Sequence, residues 1–112
     1  MPKLDYYKEG QLTDVSYLIL VSLAQPCHGY VIMAKVDEMT AGSVKIGPAS
    51  LYTSLKKLMD AGFIQMMDDD KVKKVYKLTK EGIKALEVEI EKRENYARYG
   101  KEAMDKIQEE KL

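Results

Sequence analysis

Cys27 and His28 stand side by side and are the only cysteine and the only histidine in the chain. Both residue types are used for metal binding and for nucleophilic catalysis. A zinc site needs three or four such ligands, and this pair supplies two. A catalytic dyad needs a third group to orient its base, or a glycine-rich elbow around its nucleophile; neither accompanies Cys27. The sequence therefore points away from an enzyme, and no metal and no cofactor is expected. A lone cysteine also excludes an internal disulfide framework and suits a reducing cytoplasm.

A second group of chemically useful residues falls between positions 49 and 57. Ala49, Ser50, Tyr52, Thr53, Lys56 and Lys57 alternate with Leu51, Leu55 and Leu58. On a helix that turns its leucines inward, the first six share the outer face. Methyl-bearing and hydroxyl side chains can meet base edges. Lysines and a tyrosine hydroxyl can meet phosphates. The plainer reading is an amphipathic helix with a solvated face. Lys71, Lys73 and Lys74 form a further cluster, readable either as phosphate contacts or as charges that keep a hairpin edge soluble.

Charge distribution separates these readings better than total charge, which is formally zero. Residues 1–42 carry 3 Lys against 5 Asp and Glu, net −2. Residues 43–80 carry 8 Lys against 4 Asp, net +4. Residues 81–112 carry 7 Lys and Arg against 9 Asp and Glu, net −2. The basic middle holds the two lysine clusters, and phosphate contacts need local rather than global positive charge. No apolar run reaches the roughly 18 residues of a membrane span, and no secretory signal pattern opens the chain.

Residues 1–9 read as an arm or the start of a helix. A first helix is expected from about Leu12 to Ala24, with Thr13 as a candidate N-cap and Gln25-Pro26 as its stop. A second should run from His28 or Gly29 to about Met39, with Val31, Ala34 and Glu38 on one side. Gly29 would permit its close start, and Tyr30 would anchor it to the core. Thr40-Ala41-Gly42 breaks it, and Ser43 to Ile46 reads as a short extended piece. Gly47 and Pro48 open a third helix with Leu51, Leu55, Leu58 and Met59 as its apolar stripe. Gly62 sits at its expected left-handed cap. Phe63 to Met67 and Val72 to Leu78 read as the strands of a hairpin, turning at Asp68 to Lys71. Thr79, Glu81 and Gly82 then start a long last helix. The fold class is mainly α with a β-hairpin: a winged helix-turn-helix over residues 1–79, arm included, followed by a C-terminal dimerisation helix over 80–112. In that arrangement the third helix enters the DNA major groove.

Four segments in this order resemble the PadR family of transcriptional regulators. They are His28-Gly29-Tyr30, Gly47 to Leu58 with its Leu51-Tyr52 pair, Asp60 to Ile64, and Val75 to Gly82 with Tyr76, Leu78, Thr79 and Gly82. The resemblance covers about Gly10 to Leu86, and the single terminal helix looks like the short branch of the family. It implies double-stranded DNA as partner and Ala49, Ser50, Tyr52, Thr53, Lys56, Lys57, Lys71, Lys73 and Lys74 as contacts. Two features depart from it. The wing tip is acidic at Asp68 to Asp70, and no arginine lies in the winged-helix part, which removes bidentate guanine reading by arginine.

In the last helix Ile83, Leu86, Ile90, Arg93, Ala97, Gly100, Met104 and Ile107 follow steps of three and four. This heptad spacing predicts pairing with a second copy of the chain. Ile83, Leu86, Ile90, Ala97, Gly100, Met104 and Ile107 are the expected dimer contacts. The middle of the seam is small or polar, flanked by Tyr96 and Tyr99. Either the helices approach closely there, or Arg93, Tyr96 and Tyr99 border a gap for a planar aromatic effector. The expectation is a homodimeric repressor on a pseudo-palindromic operator, with half-sites about 10 bp apart or a near multiple of that, released by such an effector. The alternative is a winged-helix protein-interaction module without DNA binding, favoured by zero net charge and the acidic wing tip.

Overall fold

The computed structural model describes residues 12–69 and 73–111. The expected N-terminal arm, Asp70 and Lys71 lie outside the described residues. The elements are α1 Asp14–Ser22, β1 Cys27–His28, α2 Gly29–Met39, α3 Pro48–Asp60, β2 Ile64–Asp69, β3 Lys73–Leu78 and α4 Lys80–Lys111.

Thr13 caps α1 through its hydroxyl, which accepts the Ser16 amide at 3.1 Å. The helix is shorter at both ends than the apolar run suggests. Leu12 precedes it and donates its amide to Glu89 Oε1. Leu23 and Ala24 close it with bonds to Leu20 O and Val21 O, three residues back. Ile19 and Leu20 are fully buried.

Helix α2 begins where expected but turns a different face inward. Its buried residues are Gly29, Ile32 and Val36, whereas Ala34 and Glu38 are exposed. At Gly29 the helix lies close to α3, where a side chain would be a tight fit. A Cβ built on Gly29 would stand 3.1 Å from the Tyr52 hydroxyl and 3.4 Å from Leu51 Cδ2. Tyr30 does not anchor the helix, being 75% exposed. No strand is assigned over Ser43 to Ile46, although Ile46 is buried.

Helix α3 starts at Pro48, where a missing N–H costs nothing. Leu51, Leu55 and Leu58 form the buried centre of the domain. Its end is a Schellman motif. Gly62, at φ 84°, donates to Met59 O at 2.9 Å, and Phe63 donates to Leu58 O at 3.0 Å.

The hairpin β2–β3 is extended to three antiparallel strands in the order β1-β3-β2. Two-residue β1 takes His28, which the sequence offered as a possible first residue of the second helix, and pairs Cys27 with Tyr76 and His28 with Val75. Strand β2 runs through Asp69, so Asp68 and Asp69 are not turn residues. They stand in register with Lys74 and Lys73.

The wing and α4 are joined at one point. The Thr79 hydroxyl donates to Gly62 O at 2.6 Å and accepts the Gly82 amide at 3.0 Å, while the Thr79 amide donates to Phe63 O at 3.0 Å. Gly82 is required by contact: a Cβ there would fall 1.9 Å from Phe63 O. The first turns of α4 then bury Ala85 and Glu89 against the domain, with Leu86 packed on the core edge. From Tyr96 through Glu110 every residue is exposed. Gly100 does not interrupt the helix.

Candidate nucleic-acid interface

The leucines of α3 fix its outward face. Ala49, Ser50, Tyr52, Thr53, Lys56 and Lys57 are all exposed on it, so the structure presents this predicted set together. Small side chains at Ala49, Ser50 and Thr53 leave the backbone close to whatever the face meets. Lys56 Nζ is paired with Asp60 Oδ2 at 3.1 Å, one turn on. That pair is exposed, and such pairs contribute at most about 1 kcal/mol, so a phosphate can exchange for the carboxylate.

Lys74 is exposed on β3, and Lys73 precedes it on the same strand. Lys71 lies outside the described residues. Tyr52 and Lys74, from separate elements, border one cavity of about 430 Å³ together with His28, Gly29, Tyr30, Val31 and Tyr76. The sequence reading did not assemble this place. It depends on the β1–β3 pairing, which brings His28 and the start of α2 beside the wing; His28 Nδ1 lies 3.3 Å from Lys74 O. Burial, and then the neighbouring Tyr52, raise the pKa of Tyr76 above the ordinary tyrosine value, so its hydroxyl remains a donor.

Along α4, Ile83, Ile90, Met104 and Ile107 are large apolar residues left exposed, and Ala97 and Gly100 lie open between them. Leu86 is instead partly spent on the core of its own chain. Arg93 is engaged within the chain. Its Nε donates to Glu89 Oε2 at 2.8 Å, NH1 to Asp14 Oδ1 at 2.8 Å, and NH2 to Leu12 O at 3.4 Å. The guanidinium also lies 4.3 Å from the Tyr17 ring centroid. Burial works against its charge, but the bonds to Asp14 and Glu89 outweigh that and raise its pKa.

Tyr96 and Tyr99 do meet, with ring centroids 6.3 Å apart at 37°. They border an open groove of about 300 Å³ with Val88, Glu91, Lys92 and Asn95, and Arg93 is not part of it. The cation over Tyr96 is Lys92, at 5.7 Å. In heptad terms, with Ile83 and Ile90 at position a, Tyr96 falls at g beside the seam and Tyr99 at c on the outer side. The two tyrosines therefore do not flank the seam symmetrically.

Cys27 is buried, and burial raises its thiol pKa even though Lys35 works in the other direction. Among the described residues no group of three or more His, Cys, Asp or Glu is placed to hold a metal ion. No helix among them is long and apolar enough to cross a membrane.

Residues 18–88 match the model of the transcriptional regulator PadR-like family. No curated protein matches the chain. Several solved structures share the fold. A transcriptional regulator from Clostridium thermocellum is 23% identical, with a TM-score of 0.71, over 79% of this chain and 87% of that one. RosR of H. salinarum is 22% identical, with a TM-score of 0.67, over 88% and 98%. PadR of Bacillus subtilis, solved in complex with operator DNA, is 32% identical with a TM-score of 0.57, over 66% of this chain and 45% of that one.

Proposed function

Because the chain belongs to the PadR-like family of transcriptional regulators, we propose that it binds double-stranded operator DNA as a homodimer and represses the genes beside its site. The observation that carries this reading is the outer face of α3, where small and hydroxyl side chains stand between lysines with the wing beside them. That face matches the division between base reading and phosphate contact. Ser50 and Thr53 read bases, Ala49 meets thymine methyls, and Lys56, Lys57 and the wing lysines Lys71, Lys73 and Lys74 neutralise phosphates. A dimer seated on a promoter blocks polymerase, which makes repression the direct output.

Support for dimerisation comes from the exposed heptad residues of α4. Ile83, Ile90, Met104 and Ile107 remain between 39% and 50% exposed. For an effector, support is the tilted Tyr96–Tyr99 pair with Lys92 at its edge, which suits a planar aromatic compound beside the dimer contact. Arg93 is given to α1 in this reading rather than to a ligand.

Selection of bound sequences from random DNA, followed by affinity measurements over a salt series, tests the proposal. The expected result is a pseudo-palindromic site and a binding constant that falls linearly with salt on logarithmic axes. Failure to enrich any sequence would refute it.

A further inference from the structure

The turn that leads from α2 into α3 is held rather than loose. Thr40 Oγ1 donates to Val36 O at 2.8 Å and accepts the Val44 amide at 3.1 Å. The Gly42 amide donates to Asp37 O at 2.8 Å. Ala41 takes a φ of 50°, left-handed backbone that a residue with a Cβ keeps only where its surroundings dictate it. Ile46 is buried and anchors the approach to α3, while the Lys45 side chain beside it is 73% exposed.

Lys45 stands two residues before Gly47, the N-cap of α3, and four before Ala49, where the outer face of that helix begins. It borders a groove of about 220 Å³ with Tyr30 and Asp37. Tyr30 also borders the cavity shared by Tyr52 and Lys74. Tyr30 therefore joins Lys45 to the surface that carries the α3 face and the wing. Lys45 Nζ lies 3.4 Å from Asp37 Oδ2, a carboxylate on α2 that is itself 47% exposed. A long, solvated pair of this kind is weak, so a phosphate can take the ammonium from it.

We propose that Lys45 exchanges Asp37 for a backbone phosphate only when α3 is fully seated in the major groove, and that this exchange raises the preference for the operator over other sequences. The proposal rests on the DNA-binding reading above and adds to it a residue outside α3 and the wing. The leading end of a recognition helix is the part that approaches the bases. A lysine fixed at that end by a rigid turn reaches its phosphate only once the helix has entered to full depth. On other DNA the helix stands off, water fills the gap, and Lys45 keeps Asp37. Lys56 and Lys57 lie about two turns into α3 and meet phosphates in either mode.

The test uses the full chain, a duplex recovered by selection and a scrambled duplex of the same composition. Lys45→Ala should weaken binding to the selected duplex about tenfold and lower its salt slope by about one, while binding to the scrambled duplex changes less than about twofold. Lys45→Gln, which keeps the stem and loses the charge, should behave alike. Asp37→Asn removes the competitor and should strengthen binding to the selected duplex about threefold, with a smaller gain in the Lys45→Ala background. Replacing phosphates singly by neutral methylphosphonates should reveal one position per half-site where the wild type loses affinity and Lys45→Ala loses no more.

Equal weakening on both duplexes would make Lys45 an ordinary phosphate contact and overturn the proposal. Wild-type affinity in Lys45→Ala overturns it as well, as do additive losses at every methylphosphonate position. An equal gain from Asp37→Asn with and without Lys45 would show a carboxylate acting on DNA at long range, and would refute the exchange. A wild type that enriches no sequence refutes the DNA-binding reading itself, an outcome distinct from loss of selectivity at Lys45.

Discussion

Arg93 Nε and Glu89 Oε2 lie 2.8 Å apart, one turn apart in α4, and the Glu89 side chain is fully buried. Glu89 also accepts the Leu12 amide, and Arg93 reaches Asp14, so the pair fastens α4 across the start of α1. Lys92 Nζ also lies 3.3 Å from Glu89 Oε2, so without Arg93 the buried carboxylate keeps one counter-charge. Arg93→Ala should cost about 2 kcal/mol of stability, below the full penalty of an unpaired buried charge. Asp14, whose side chain is 84% exposed, should cost under about 1 kcal/mol as Asp14→Ala. Urea unfolding at fixed protein concentration measures both. Equal costs would show that the buried carboxylate is not the centre of the fastening.

Two glycines in α4 should answer alanine substitution in opposite directions. At Gly82 a Cβ collides with Phe63 O, a backbone atom that cannot swing aside. Gly82→Ala should destabilise by about 2–3 kcal/mol through displacement of the helix start. At Gly100 nothing lies within 4 Å of the added atom. Gly100→Ala should raise helix stability by about 1 kcal/mol. Thermal melting read against sedimentation separates this gain from weakened pairing, which would show that the partner helix needs the space.

Ile90 is exposed in the single chain and belongs to the exposed stripe of α4. Ile90→Asp should therefore convert a dimer into a folded monomer, because the charge is buried only when a partner covers it. Sedimentation at micromolar concentration gives the mass and circular dichroism the fold. A wild-type monomer at that concentration would remove α4 as a dimer element.

Lys57→Ala and Lys56→Ala should weaken binding to all sequences alike and flatten its salt dependence, by about one phosphate each. Ser50→Ala or Thr53→Ala should alter sequence preference with the slope retained. Unchanged affinity and slope in both lysine variants would exclude α3 as the recognition helix.

Cys27 should behave as a protected thiol. Burial holds its pKa above the ordinary cysteine value, so the native thiol stays protonated where an unfolded one has begun to ionise. Its contribution to stability is complete below the unfolded pKa and is lost as pH rises through the raised folded value. Alkylation by iodoacetamide at mildly alkaline pH should be slow in the native state and should accelerate on unfolding. Equal rates would contradict the burial.

Much of this fold was legible because its punctuation is chemical. Thr13, Pro48, Gly62 and Thr79 each mark a helix end by a property that neighbouring packing does not change. The apolar stripe of α3 was equally plain, with three leucines at steps of four and three. The inward face of α2 was not. Val31, Ala34 and Glu38 satisfy helical spacing, but Ile32 and Val36 are the side chains buried, and that choice appears only once α1 and α3 pack against the helix. Strand β1 escaped for a similar reason, since two residues carry no alternation and pair with a strand far along the chain. Arg93 reads from the sequence as part of the helical seam and as an effector contact; its bonds to Glu89 and Asp14 depend on where α1 crosses.

The junction at Thr79 has a mechanical meaning. The end of α3 and the beginning of α4 are bonded to one another through Gly62, Phe63, Thr79 and Gly82. A rotation of α4 is thus handed to α3 without a soft joint between them. The stretch from Gly82 to Met104 is a lever of roughly 33 Å at 1.5 Å per residue. A change of about 5° in the angle at which two such levers cross swings each head by about 3 Å, close to the 3.4 Å step between base pairs. A signal acting at the far end of α4 would need only a few degrees to carry the reading heads from one register to the next.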